Sequence, residues 1–245
     1  MTSKQTVIPV TQYTWNPWRG CTKISPGCKN CYMFRQQERY GNDPARVVRT
    51  KTGRDPLRWQ KKAEAHGRTD LVFTCSWSDW FHEAADEWRP EAWAVVRRCP
   101  NLIFQILTKR PERIRDHLPP DWGGAYPNVW LGVSVETDDY CWRAELLRAV
   151  PACVRWVCAE PLLGPLPSLN LDGIHWVVVG GESGPGWRSM EPLWARELRD
   201  RCRAAGVAFY FKQSSGLYQG ADPWLDGRLH QDAPELRRGS PTLFE

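Results

Sequence analysis

Six short runs, LVFTC (71–75), LIFQIL (102–107), VWLGVSV (129–135), VRWVCA (154–159), HWVVVG (175–180) and VAFYF (207–211), are apolar at nearly every position. A strand with one face in water alternates polar and apolar residues, whereas a strand of a parallel sheet is buried on both faces. The runs are separated by helical patterns over roughly 88–99, 110–117, 137–149 and 192–205. The last has Glu191 near its start, Arg201 and Arg203 near its end, and Gly206 as its stop. TWNPW (14–18) supplies a first strand, with helices over 31–41 and 56–65. Strand–helix alternation at this spacing predicts an α/β fold with parallel strands. About seven strands, and no GxGxxG after the first, favour a complete or partial (β/α) TIM-like barrel over a dinucleotide-binding sheet. The barrel is expected over 1–219 and a peripheral C-terminal tail, rich in Pro, Gly and charge, over 220–245.

In barrels of this type chemistry gathers at the C-terminal ends of the strands. Those ends read Cys75-Ser76-Trp77-Ser78-Asp79, Thr108-Lys109-Arg110, Ser134-Val135-Glu136, Glu160-Pro161, Gly181-Glu182-Ser183-Gly184 and Lys212-Gln213. The first strand leads into WRGCTKISPGCKNCY, which carries Cys21, Cys28 and Cys31 in a C-x6-C-x2-C spacing. Three cysteines are one short of a closed zinc site, for which Cys75, His66 and His82 are distant fourth ligands. They match a [4Fe–4S] cluster that keeps one iron open, an arrangement able to chelate S-adenosylmethionine and, once reduced, to cleave it to a 5′-deoxyadenosyl radical. Spacing alone leaves cluster, zinc and inert thiols open. In the cluster reading Gly20 and Gly27 permit tight wrapping, and Lys23 and Lys29 offset the cluster's charge.

The nine cysteines, with no apolar leader in MTSKQTVIPV, predict a reducing, cytoplasmic setting. The remaining strand and helix cysteines, Cys75, Cys99, Cys153, Cys158 and Cys202, are expected in the core. No run of 18 apolar residues exists, so no membrane helix is expected. Residues 1–70 hold fourteen Lys/Arg against five Asp/Glu, a balance of +9, while the remainder stands at −4. A basic flank of this kind suits a polyanion such as nucleic acid, or is a solvated charged face. Trp77, Trp80, Trp122 and Trp187 fall where loops leave strands and can stack bases or pack the core.

Taken together, TWNPWRGCTKISPGCKNCY, FTCSWSDWFH, LTKRPER, WLGVSVE, EPLLGP, VVVGGESGPGWRSM and FYFKQ resemble the phage-associated three-Cys-motif proteins, an atypical branch of the radical SAM superfamily. The resemblance runs from about Thr14 to Gln213. It implies a (β/α) barrel, a [4Fe–4S] cluster on Cys21, Cys28 and Cys31, S-adenosylmethionine as cofactor and an external electron donor. Within such phage families the first expectation is a radical rearrangement of a modified thymidine in DNA, and more broadly a nucleic acid or nucleotide substrate; the alternative is a non-catalytic zinc- or cluster-containing nucleic-acid-binding protein of a phage or defence operon. Two departures stand out. The usual first gap is three residues, and the aromatic residue, here Tyr32, follows the last cysteine instead of preceding it. The family's FKQWG block reads Phe211-Lys212-Gln213-Ser214-Ser215.

The GGE string typical of the superfamily follows its second strand, whereas Gly180-Gly181-Glu182 follows the sixth here. Ser76, Ser78 and Asp79 are therefore the preferred contacts for the cofactor's amino group, with Asp79 otherwise a helix cap. Ser134 and Glu136 suit ribose hydroxyls or a cap. Gly180, Gly181 and Glu182 complete the expected cofactor-binding set, the two glycines admitting a flat adenine. Glu160 needs a partner, Lys109 or Lys212, either as a structural salt bridge or as a set that moves protons or orients substrate.

Overall fold

In a computed structural model, residues 11–235 are described; residues 1–10 and 236–245 of the expected barrel and tail lie outside them. Seven parallel strands form one sheet in sequential order: β1 (Tyr13–Trp15), β2 (Asp70–Thr74), β3 (Leu102–Thr108), β4 (Val129–Ser134), β5 (Val154–Ala159), β6 (Trp176–Gly180) and β7 (Ala208–Gln213). The sheet curls into a half-barrel, the partial form of the expected architecture. The helices are α1 (Tyr32–Arg39), α2 (Asp55–Ala65), α3 (Arg89–Arg97), α4 (Trp142–Arg148) and α5 (Pro192–Ala205). No helix among the described residues is long and apolar enough to cross a membrane.

Two sets of buried side chains use the two faces of the strands. Val72, Phe104, Leu131, Val133, Val157, Val177, Val179 and Phe211 share a core with α3, α4 and α5. Phe73, Ile103, Trp130, Trp156, Trp176 and Tyr210 cluster on the opposite, inner face. The indoles of Trp156 and Trp176 lie 5.5 Å apart and those of Trp130 and Trp176 meet edge to face at 5.9 Å. Such contacts add stabilisation to the large area each ring buries. Gly132 of β4 is required by this packing, since a Cβ there would sit 2.3 Å from the Trp156 ring.

The local differences from expectation have visible causes. The first strand stops at Trp15, because Pro17 supplies no ladder donor; Trp18–Arg19 instead pair antiparallel with Val48–Arg49. The segment expected as a helix over 110–117 forms two 3-10 turns, Pro111–Arg113 and Arg115–His117. Pro119 and Pro120 close it before an α-helix can propagate. The 137–149 segment divides into a 3-10 turn at Asp138–Tyr140 and α4. Cys153, expected in the core, is exposed because it lies in the turn before β5.

The stretch from residue 220 is anchored along β7 as far as it is described. A hairpin pairs Trp224–Leu225 with Arg228–Leu229, and the Phe211 amide donates to the His230 carbonyl at 2.8 Å. Asp232 N–H donates to Phe209 O at 3.1 Å, and Trp176 Nε1 to Asp232 O at 2.8 Å. The free edge of β7 is thereby covered, which removes a site for edge-to-edge pairing.

Candidate active site

All the strands point one way, so their C-terminal ends share one mouth. A cavity of about 200 Å³ opens there, room for a group far larger than one water. Cys21, Cys28 and Cys31 all line it, and all three are free thiols. The structure thus brings the cysteine loop over the strand ends Ser76, Ser78, Asp79, Lys109, Ser134, Glu160, Gly181, Glu182 and Lys212.

Each cysteine is held through a neighbour by a carboxylate and a cation from the barrel. At Cys21 the carboxylate is Asp79. Its Oδ1 accepts from Thr108 Oγ1 at 2.6 Å and the Phe81 amide at 2.9 Å, and its Oδ2 from the Lys109 amide at 2.8 Å. Arg110 pairs with Asp79 at 3.3 Å and donates to Thr22 Oγ1 at 2.6 Å. At Cys28 the carboxylate is Glu136, fully buried, with Lys109 Nζ and Arg143 each at 2.9 Å. Ser25 Oγ donates to it at 2.8 Å and lies 3.6 Å from Cys28 Sγ. At Cys31 the carboxylate is Glu182, which accepts from Asn30 Nδ2 at 2.9 Å and from the Arg188 amide at 2.8 Å. The Arg188 guanidinium also pairs with Glu182 and reaches Pro26 O at 3.0 Å.

This arrangement revises the roles expected for the acidic residues. Asp79, Glu136 and Glu182 spend their lone pairs on protein donors and hold the loop, rather than presenting free oxygens to an amino group or a ribose. Asp79 does make the cap-like turn, through the Phe81 amide. Ser78 likewise donates to Gly20 O at 2.6 Å, and Ser76 exchanges hydrogen bonds with Asn16 at 3.0 and 3.3 Å.

Gly180, the last residue of β6, and Gly181 after it are not open platforms for adenine. A Cβ on Gly181 would lie 2.2 Å from Ser215 N, and one on Gly180 would lie 3.0 Å from Glu160 Cδ. Their space is filled by the chain itself. Lys23 and Lys29 are exposed; Lys23 donates to Lys29 O at 3.2 Å and covers the Phe34 ring. The cations that act on the thiols are Arg110, at Cys21, and Lys109, at Cys31.

Two glycines shape the loop. Gly20 has φ +95°, and a Cβ would fall 2.3 Å from Arg46 O, where the loop crosses the 43–49 segment. Gly27 lies on Glu136, and a Cβ would stand 2.5 Å from its Cγ. Tyr32, placed after the last cysteine, donates to Ser76 O at 2.7 Å and fastens α1 to the end of β2. Glu160 finds its partner in Lys212, while Lys109 is committed to Glu136. Ser134 and the Glu160–Lys212 pair line the cavity on the side of β4, β5 and β7.

The electrostatics follow from burial. Burial, reinforced by Asp79 and opposed by Arg110, pushes the Cys21 thiol up to about 12. Burial likewise raises Cys31. Such thiols stay protonated at neutral pH until a metal supplies positive charge. Burial alone would raise the Glu136 carboxyl, but Lys109 and Arg143 outweigh it and hold the group below its ordinary value. The Lys109 ammonium, which burial would lower, is held above its ordinary value by Glu136 and by the Cys28 sulfur.

For the distant zinc ligands, His66 is exposed at the end of α2, with its Nδ1 2.7 Å from Lys62 O. His82 is buried, accepts from the Ala84 amide at 3.2 Å, and lies 3.3 Å from Thr22 Oγ1. Cys75 lines the cavity with the left-handed φ of 52°. Among the described residues no three His, Cys, Asp or Glu side chains are grouped to hold one metal ion. A cluster places its thiolates on separate irons, so its ligands stand farther apart than those of a single ion.

Arg110, Arg143, Arg188 and Asn30 were not predicted as site residues. Arg110 carried a signal, because it stands in a strand-end run; the other three became visible only through their partners. Neither the curated proteins nor the solved structures contain a match to this chain. A family model described as "Protein of unknown function (DUF5131)" matches residues 5–234, and the chain belongs to that family.

Proposed function

We propose that this protein is a radical S-adenosylmethionine enzyme whose [4Fe–4S] cluster is held by Cys21, Cys28 and Cys31. The observation that carries the reading is the loop itself: three free thiols face one cavity at the barrel mouth, with Arg110 and Lys109 beside them. Three carboxylate–cation pairs brace it, which suits a loop that must present three ligands in a fixed relation. When bound, the cluster and S-adenosylmethionine would supply a reductive cleavage that yields a 5′-deoxyadenosyl radical.

The chain's own residues orient and shield. Arg110 and Lys109 offset the negative charge of thiolate ligands. Ser134 offers a hydroxyl to a polar cofactor, and the Glu160–Lys212 pair offers both signs of charge to an amino-acid moiety or to substrate. Phe73 and Leu107 line the cavity with apolar surface, which limits water at a site of radical chemistry. An external donor would provide the electron.

The substrate we infer is a nucleic acid or nucleotide, with rearrangement of a modified thymidine as the first activity to assay. The support is the basic flank. Cys21 N–H donates to Pro44 O at 2.9 Å, so the 43–62 segment begins beside the cluster loop. Arg46, Lys51, Arg54, Lys61 and Lys62 in that segment suit phosphate contacts.

Anaerobic reconstitution with iron and sulfide tests the cofactor assignment. About four irons per chain, lost in the Cys21/Cys28/Cys31→Ala variant, support it. Zinc held by the same three thiols with no bound sulfide overturns it. A DNA affinity that does not respond to salt overturns the substrate assignment.

A further inference from the structure

The cation beside Cys21 is built differently from the one beside Cys28 and Cys31. Lys109 is tied to Glu136 through its ammonium, whereas Arg110 turns a guanidinium N–H toward sulfur. Its Nη1 lies 3.9 Å from Cys21 Sγ, within reach of a weak N–H···S hydrogen bond. Its Nη2 donates to Thr22 Oγ1 at 2.6 Å and faces Thr22 O at 3.4 Å. Arg110 is 4% exposed; the same Nη1 pairs with Asp79 at 3.3 Å, and Nε lies 3.5 Å from Glu83. A guanidinium needed only to neutralise Asp79 would have no cause to grip the residue next to a ligand cysteine as well. Its planar fork spans both, which a lysine ammonium cannot do.

We propose that Arg110 is a positioning residue that tunes the reduction potential of a cluster on Cys21, with Asp79 as its opposing charge. The inference rests on the reading of the three cysteines as cluster ligands. Reduction adds one electron to the cluster and makes it more negative. A buried cation donating to a ligand sulfur stabilises that state more than the oxidised one, so it raises the potential. Burial strengthens the effect, since little solvent screens it. Asp79 works in the opposite direction: its charge opposes added electron density.

The test is an EPR-monitored redox titration of the full chain, reconstituted anaerobically, with wild type, Arg110→Gln, Arg110→Lys and Asp79→Asn side by side. Arg110→Gln is expected to lower the midpoint so that the reduced-to-oxidised ratio at the wild-type midpoint falls about tenfold, ~59 mV for one electron. Arg110→Lys, which keeps the charge and loses the fork, is expected to fall between the two. Asp79→Asn is expected to move the midpoint upward. A loaded Arg110→Gln protein whose midpoint equals that of wild type overturns the proposal, as does a downward shift in Asp79→Asn. If Arg110→Gln holds no cluster, Arg110→Lys decides, and an unchanged midpoint there counts against the proposal. A wild-type chain that takes up no cluster overturns the underlying ligand reading, and this inference with it.

Discussion

Replacing Gly27 by alanine places a methyl group where the structure holds the Glu136 side chain. The added Cβ would stand 2.5 Å from Glu136 Cγ, 2.6 Å from Oε1 and 2.8 Å from Cδ. Glu136 cannot simply turn away, because Lys109, Arg143 and Ser25 fix its two oxygens. Either the loop lifts or the buried carboxylate gives up partners. Overpacking of this kind costs about 1–3 kcal/mol, and a detached buried ion pair raises that to roughly 3–5 kcal/mol. In a chain of this size each kcal/mol moves the melting temperature by about 2–4 °C. Gly27→Ala is therefore expected to melt roughly 2–12 °C lower by the packing term alone.

Gly164→Ala is the control, since a Cβ at Gly164 meets nothing within 4 Å. Scanning calorimetry of the metal-free chain supplies the number, and the alkylation rate of Cys28 reports loop lifting independently of any metal. Cys28 is expected to react faster in Gly27→Ala than in wild type. Equal melting temperatures and equal Cys28 reactivity in the two alanine variants would show that Glu136 does not clamp the loop.

Acid unfolding tests the same carboxylate from the other side. The folded Glu136 carboxyl lies below its ordinary value of 4.5, so the unfolded chain binds the proton more readily. Its stabilisation is complete above that value and is lost as pH falls through the lower folded one. Glu136→Gln is expected to flatten that part of the stability–pH curve and to cost about 3–5 kcal/mol at pH 7; an unchanged acid limb would refute it. Gly132→Ala drives a methyl into the Trp156 ring and is expected to cost at least about 1–3 kcal/mol in urea unfolding. A chain ended after residue 220 exposes the edge of β7 and removes the buried Leu225 from the core. It is expected to melt lower and to aggregate in light scattering, and behaviour like the full chain would mean that the hairpin is dispensable.

The sheet was legible because strands buried on both faces cannot hide their composition, and six of the seven are apolar runs. The first strand and the 110–117 segment were harder, since proline decides where pairing and helix end without changing the hydropathy. At the site, the three cysteines and their place at the mouth followed from spacing and strand ends. The roles of Asp79, Glu136 and Glu182 did not. Whether a carboxylate is free or occupied depends on partners far along the chain, such as Ser25 for Glu136 and Asn30 for Glu182. The same holds for Arg188, which sits in a loop with no pattern of its own. Of the four tryptophans expected to stack bases or pack the core, Trp80 and Trp122 pack the core, Trp77 is half-buried and Trp187 is exposed.

The central claim is that Cys21, Cys28 and Cys31 hold a cluster that cleaves S-adenosylmethionine, and it is tested most directly by chromatography of the reaction products. The reconstituted chain, given S-adenosylmethionine and dithionite without air, is expected to release 5′-deoxyadenosine, and the Cys21/Cys28/Cys31→Ala variant to release none. Equal release from both proteins, or none from a wild-type chain loaded with iron and sulfide, would contradict the account.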